Sequence, residues 1–231
     1  ILYTADMSTS VEHSVCSAYA DDTNLMHTTE KGNVQTAKSQ LQRDYESVAK
    51  WRACNSLKIN PEKTEYLAIY SPSLRNIPDL SININGSLIE PARSIRILGV
   101  YFDTHLTFLD HVCRKAGALT GFLQTLTARR SSFSRSSLQM LVNSYANSII
   151  AHCISSIGIS TPAIAKLQQC QNFAIRCIFG LPKFSSISFY REILDWLPVA
   201  DIAVMRFSTL AHKSIHGSNP DYLRVNLQNH E

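Results

Sequence analysis

Apolar positions come in short runs or alternate with polar ones through the first hundred residues, then recur at three- and four-residue steps to the end of the chain. Val15-Cys16-Ser17-Ala18-Tyr19-Ala20 has the length and small-apolar character of a strand, and Thr23-Asn24-Leu25-Met26-His27 can return beside it. The pair reads as a β-hairpin with Asp21 and Asp22 at its tip. Val34, Ala37, Leu41, Tyr45, Val48 and Trp51 then mark an amphipathic helix. Leu57-Lys58-Ile59 and Tyr66-Leu67-Ala68-Ile69-Tyr70 read as strands flanking Asn60-Pro61-Glu62-Lys63. Leu80 to Ile84 and Ser87-Leu88-Ile89 flank Asn85-Gly86, the strongest short hairpin signal in the chain. Ile95 to Phe102 reads as one more apolar strand. Gly99 inside it suggests a bulge or the close approach of another backbone.

From Thr107 the period is helical. Phe108, Val112, Lys115, Leu119, Phe122 and Leu126 line a first helix, with Arg129-Arg130 at its end. Ser134 can cap a second, carrying Leu138, Leu141, Val142, Tyr145 and Ile149. Thr161-Pro162 has the form of an N-cap followed by an N1 proline, opening a third helix with Ile164, Leu167, Phe173, Ala174 and Cys177. Gly180 and Pro182 end it. A shorter helix over Phe189 to Trp196 follows, and a last one from Pro198 to His216, stopped by Gly217. The fold class is therefore α+β: residues 1–103 of hairpins with a packed helix, then residues 104–231 as a helical bundle.

Composition narrows the class. The chain has 231 residues, 45% apolar and 17% charged, which is a globular rather than a disordered composition. The net charge of +4 is unevenly spread. Residues 1–103 hold 10 basic and 12 acidic side chains, a net of −2, and residues 104–231 hold 12 and 6, a net of +6. An acidic half joined to a basic one suits a polyanionic ligand, although an ordinary basic helical surface gives the same count. The six cysteines show no C-x-x-C pair or zinc-like spacing, and read as small thiols on apolar faces in a reducing compartment. No run of about 20 apolar residues is present, so no membrane association is expected. The His residues carry no ligand spacing, and His105 and His111 read as solvent-exposed positions beside Asp110. The chain starts at Ile1, which reads as part of something longer.

The candidate chemistry lies at Asp21 and Asp22. Adjacent carboxylates repel unless a cation sits between them. Mg²⁺, which takes a few carboxylates together with substrate phosphate oxygens, suits such a pair. A solvated Asp-rich turn gives the same dipeptide, and the dipeptide alone leaves both readings open.

The order of motifs goes further. Ala18-Tyr19-Ala20-Asp21-Asp22 is followed by a helix ending in Lys50-Trp51. Next come Asn55 to Glu65 (N-S-L-K-I-N-P-E-K-T-E) and Ile97-Leu98-Gly99-Val100-Tyr101-Phe102-Asp103. This order resembles a reverse transcriptase, and more narrowly the LINE-type (non-LTR) retrotransposon enzymes of the Jockey group. Leu2-Tyr3-Thr4-Ala5-Asp6-Met7 is similar to the segment before the family's Y-A-D-D motif. Trp196-Leu197-Pro198-Val199 and His216-Gly217-Ser218-Asn219-Pro220-Asp221-Tyr222-Leu223 are similar to its helical tail.

The resemblance implies a partial palm over residues 1–103, with a Y-A-D-D hairpin and a primer-grip-like hairpin, and a helical thumb with a C-terminal extension over 104–231. It implies RNA-directed DNA polymerase chemistry with two Mg²⁺ ions, Mn²⁺ being the alternative metal. Asp21 becomes the principal metal ligand and Asp22 its neighbour. Tyr19 lies beside the primer end, and Lys63 is the candidate general acid for pyrophosphate departure. Leu98 and Gly99 brace the primer strand, while Arg114, Lys115, Arg129, Arg130 and Arg135 face duplex phosphates. The implied partners are an RNA template, a DNA primer, deoxynucleoside triphosphates and a fingers-and-palm segment of the same polyprotein. The implied localisation is cytoplasmic and nuclear. The family's third catalytic aspartate belongs upstream of Tyr19, where Asp6 does not fit, so the 231 residues alone are expected to be inactive. The alternative is a non-catalytic nucleic-acid-binding remnant of a decayed element.

Overall fold

Where each element starts and stops is set by a few turn and cap residues. The computed structural model describes residues 4–74, 79–84, 87–156 and 160–217. The Asn85-Gly86 turn, Leu2-Tyr3 and the segment from Ser218 onward lie outside the described residues. The fold is mixed helix and sheet, in two compact units, residues 1–95 and 96–231. The join expected at residues 103/104 lies a little further along the chain.

In the first unit, β1 (Val15–Tyr19) pairs antiparallel with β2 (Asp22–Met26). The register is Cys16 opposite Leu25, Ala18 opposite Thr23 and Tyr19 opposite Asp22. Helix α1 (Val34–Cys54) follows, and buries Ala37, Asp44 and Val48. β3 (Ile82–Ile84) pairs with β4 (Ser87–Ile89) and packs on α1 through buried Ile82 and Ile84. The two strands expected over 57–59 and 66–70 are not strands. A short 3-10 turn (Pro61–Lys63) divides them, and the flanking residues follow no ladder. Their backbone bonds go elsewhere, as in the Ala92 N–H to the Tyr66 carbonyl at 2.8 Å.

The apolar run over 95–102 is also corrected. It is a hairpin rather than one bulged strand: β5 (Ser94–Ile97) pairs with β6 (Val100–Asp103). Leu98 and Gly99 form its two-residue turn, with φ of 48° and 85°. Positive φ at both central residues matches the right-handed twist of the flanking strands, and glycine at the second position lowers its strain.

After β6 the Asp103 carboxylate organises the chain. It accepts from the N–H groups of His105, Thr107 and Phe108 and from the Thr107 hydroxyl, at 2.6–3.1 Å. This tether launches α2 (Leu109–Ala128) from Phe108, whose φ is 55°. Helix α3 (Arg135–Val142) starts where expected, with the Ser134 hydroxyl accepting from the Ser137 N–H at 3.1 Å. A π-helical stretch (Asn143–Asn147) then joins it to α4 (Ser148–Ser156). The buried positions here are Leu138, Val142, Ala146, Ile150, Cys153 and Ile154. Leu141 and Tyr145, expected inside, are partly exposed instead.

Helix α5 (Thr161–Phe179) has its N-cap at Ser160, one residue before the expected cap at Thr161, and ends on left-handed Gly180. It packs closely on α2 through small residues. The Cys170 and Cys177 thiols lie 3.9 and 3.8 Å from the Ala116 and Leu123 carbonyl oxygens. Helices α6 (Ser188–Ile193) and α7 (Val199–Ile215) complete the unit. Gln168 accepts the Val199 N–H at 2.8 Å, and Gln171 donates to the Leu197 carbonyl at 2.8 Å. These two bonds fix the Trp196-Leu197-Pro198-Val199 turn to α5. Among the described residues no helix is long and apolar enough to cross a membrane.

His111, expected at the surface, is 0% exposed. Its Nδ1 accepts the Tyr101 N–H at 3.3 Å. Burial, reinforced by the Lys115 charge and by His152, holds it below the usual histidine range, so it serves the core as a neutral ring.

Candidate active site

The acidic pair sits on the tightest available turn. Tyr19 pairs with Asp22, which leaves Ala20 and Asp21 as the two turn residues. Of these, Ala20 alone has positive φ, 55°. A residue with a Cβ is strained there, and such strain concentrates at functional turns. Strand alternation divides the side chains between two faces. Cys16, Ala18, Thr23 and Leu25 share the face toward α1, and Tyr19 and Asp22 share the other. Tyr19 is 66% exposed, and Asp21 and Asp22 are exposed beside it. Neither carboxylate has a hydrogen-bond or ion-pair partner among the described residues.

Helix α1 holds this hairpin from behind. Asp44, only 2% exposed, accepts from the backbone N–H groups of Glu12 and His13 at 3.0 and 3.1 Å, pinning the chain just ahead of β1. Burial acts to raise this carboxyl. The bonds from the 12–14 segment outweigh it and hold Asp44 below the usual carboxylate range. Two turns further on, the Arg52 Nη2 donates to the Thr23 hydroxyl at 2.6 Å. Neither residue stood out in the sequence. The signal was there: Asp44 and Arg52 lie four residues either side of buried Val48, polar side chains set into an apolar stripe.

The chemistry of the donors fits a magnesium ion. Two adjacent, exposed, unengaged carboxylates offer the hard oxygens that Mg²⁺ takes, with substrate phosphates and water filling its other positions. Among the described residues no third His, Cys, Asp or Glu joins them in a cluster.

The other candidates divide into engaged and free groups. Lys63 ends the 3-10 turn and is exposed; the Asn60 side chain shapes that turn by accepting the Glu62 N–H at 3.0 Å. Leu98 is 55% exposed at the tip of its hairpin, next to Gly99. Arg114 pairs with Asp110 at 3.0 Å and lies over the Tyr101 ring at 4.6 Å. Lys115 is half-buried. Arg129 is exposed and has no side-chain partner among the described residues. Arg135 covers the Phe179 ring at 4.0 Å. Arg130 is taken up by the fold. It donates from Nε and Nη2 to the carbonyls of Cys177 and Ile178, each at 3.2 Å, and caps the end of α5.

Over 177 residues the chain is 27% identical to the "RNA-directed DNA polymerase from mobile element jockey" of Drosophila melanogaster, a match covering 74% of this chain and 19% of that protein. The chain is related to the Jockey-like non-LTR reverse transcriptases. No protein-family model and no solved structure matches it. The chain thus spans less than a fifth of the Jockey polymerase it resembles.

Proposed function

We propose that this Jockey-like chain contributes the Y-A-D-D part of a reverse-transcriptase active site, in a palm segment followed by a helical thumb. The observation that carries the reading is the two-residue turn presenting Asp21 and Asp22, exposed and unengaged, next to an exposed Tyr19. Their carboxylates hold magnesium. When bound, the metal supplies the positive charge needed by the attacking primer hydroxyl and by the departing pyrophosphate oxygens. Tyr19 shares a strand face with Asp22 and packs beside the primer end. Lys63 has the exposure and proton to meet the leaving pyrophosphate. The Leu98-Gly99 turn lets backbone approach the primer strand closely, since a glycine has no Cβ to interfere.

In the helical unit, Arg129, Arg114, Lys115 and Arg135 are the contacts to duplex phosphates. An RNA–DNA duplex is recognised through backbone and groove shape rather than base edges. Arg130 is left out of this set because α5 already uses its donors. Two carboxylates on one turn make a weak site unless substrate phosphates or further ligands complete the shell. The polymerising unit is therefore the longer protein, with its RNA template, DNA primer and deoxynucleoside triphosphates.

The experiment is primer extension on an RNA template by the longer protein containing these 231 residues, with Mg²⁺ or Mn²⁺. Asp21→Asn and Asp22→Asn should each lower extension by about a hundredfold or more while leaving template–primer binding intact. Extension that survives both substitutions would overturn the proposal.

A further inference from the structure

The turn bearing Asp21 and Asp22 cannot fix its own geometry. A two-stranded hairpin is marginal in water by itself, and its tip carries two like charges. The carboxylates have no partners among the described residues to orient them. Whatever holds the turn must act from the face toward α1, where Cys16, Ala18, Thr23 and Leu25 lie.

Arg52 is the polar group that reaches that face. It stands in the last turn of α1, and its Nη2 donates to the Thr23 hydroxyl at 2.6 Å. Thr23 directly follows Asp22 and is paired with Ala18, one step from the turn. The rest of the guanidinium is held in an unusual way. Its Nε is buried without a hydrogen-bond partner among the described residues. A charged donor without a protein partner is unfavourable, so the bond to Thr23, rather than full satisfaction of its own donors, is what the placement of Arg52 provides. Its charge also reaches the Cys16 thiol, partly offsetting the rise that burial gives that group.

We propose that Arg52 is a positioning residue for the Asp21-Asp22 pair, fixing β2 at Thr23 so that the turn aims both carboxylates outward. The geometry stands by itself, and its purpose rests on the polymerase reading above. A one-residue slip of β2 would send Thr23 outward and Asp22 toward α1, because side chains alternate between faces. A hydrogen bond next to Asp22 opposes that slip most directly.

The test compares Arg52→Met, Arg52→Lys and Thr23→Val in the whole chain. Arg52→Met keeps the length of the stem and removes the donors; Arg52→Lys keeps a cation able to donate to Thr23. Amide exchange should quicken about tenfold or more over residues 22–25 in Arg52→Met and in Thr23→Val, with the middle of α1 unchanged. Combining the two should add nothing further, and Arg52→Lys should restore most of the protection. Unchanged exchange at 22–25, or equal quickening across the whole unit, would overturn the positioning role. A second arm titrates Mn²⁺ and reads paramagnetic broadening at Asp21 and Asp22. Weaker Mn²⁺ binding in Arg52→Met, rescued by Arg52→Lys, supports the role at the metal-binding pair. Equal Mn²⁺ affinity in all variants would overturn that role. Absence of Mn²⁺ binding by the unsubstituted chain, with the exchange result intact, would count against the polymerase purpose and leave the anchoring of the turn standing.

Discussion

Gln171, near the middle of α5, donates its side-chain amide to the carbonyl oxygen of Leu197 at 2.8 Å. It is 1% exposed, and its neighbour Gln168 receives the Val199 N–H. Together they close the Trp-Leu-Pro-Val turn before α7. Gln171→Leu keeps the volume and strips the Leu197 carbonyl of its partner. It should destabilise the helical unit by about 1–3 kcal/mol, read as a lower urea midpoint with an unchanged slope.

Arg129 and Arg130 are neighbours with opposite employment. Arg130→Ala removes two charge-assisted bonds to the end of α5 and should lower stability by about 1–3 kcal/mol. Gly180→Ala should act in the same direction, because φ there is 67° and an added Cβ would come within 2.6 Å of the Arg130 guanidinium. Arg129→Ala should leave stability within about 0.5 kcal/mol. Its effect should appear in binding to an RNA–DNA hybrid, with the slope of log K against log salt reduced by about one. Binding that depends on Arg130 but not Arg129, in folded variants, would reverse this assignment.

Two carboxylates make the fold sensitive to acid. Burial acts to raise Asp44 and Asp103, but hydrogen bonds from the 12–14 segment and from Thr107, His105 and Phe108 outweigh it, so both lie below the usual range. Groups depressed in the folded state stabilise fully above the unfolded carboxylate pKa of about 4. That contribution is lost as pH falls through the lowered folded values. The contribution of these two carboxylates to the unfolding midpoint should therefore be flat from neutral pH down to about 5 and fall below about 4, while buried neutral His111 adds an earlier, shallower decline as pH drops below the unfolded histidine pKa of about 6.5. Asp44→Asn and Asp103→Asn should each flatten that fall while lowering stability at pH 7.

Ala20 holds a positive φ that glycine would adopt freely. Ala20→Gly should relieve about 1 kcal/mol of turn strain, offset in part by greater freedom of the unfolded chain. The expected readout is a hairpin whose amides are at least as protected as in the unsubstituted chain. A marked loss of protection would mean that the Ala20 methyl packs in a way the turn requires.

Much of this was legible in the chain. The hairpin bearing the acidic pair, α1, the Ser134 cap and the glycine stops after α5 and α7 all follow from local signals, because caps and turns act through nearest neighbours. The failures are equally physical. Residues 57–59 and 66–70 have strand-like composition, but a strand also needs a partner, which composition does not record. Gly99 suggests a bulge or a close backbone approach within one strand because the apolar residues continue on both sides of it; positive φ at two successive residues, Leu98 and Gly99, makes it a turn instead. Buried Asp44 and His111 are hidden because each accepts from backbone N–H groups distant in sequence or across a loop, the His111 Nε2 having no partner among the described residues. For the acidic pair, the sequence provided the residues, and the structure added the two anchors behind them, Asp44 and Arg52.

The π-helical stretch over Asn143–Asn147 sets the phase of a long buried stripe. Leu138, Val142, Ala146, Ile150 and Ile154 are all buried at steps of four, whereas a regular α-helix drifts about 40° at each such step. The wider turn takes up that drift and keeps the stripe on one side. The register of this rod is thus stored at a single joint. Shortening the chain by one residue there would return it to ordinary winding, and would rotate everything from Ser148 onward by about a quarter-turn relative to the residues before it.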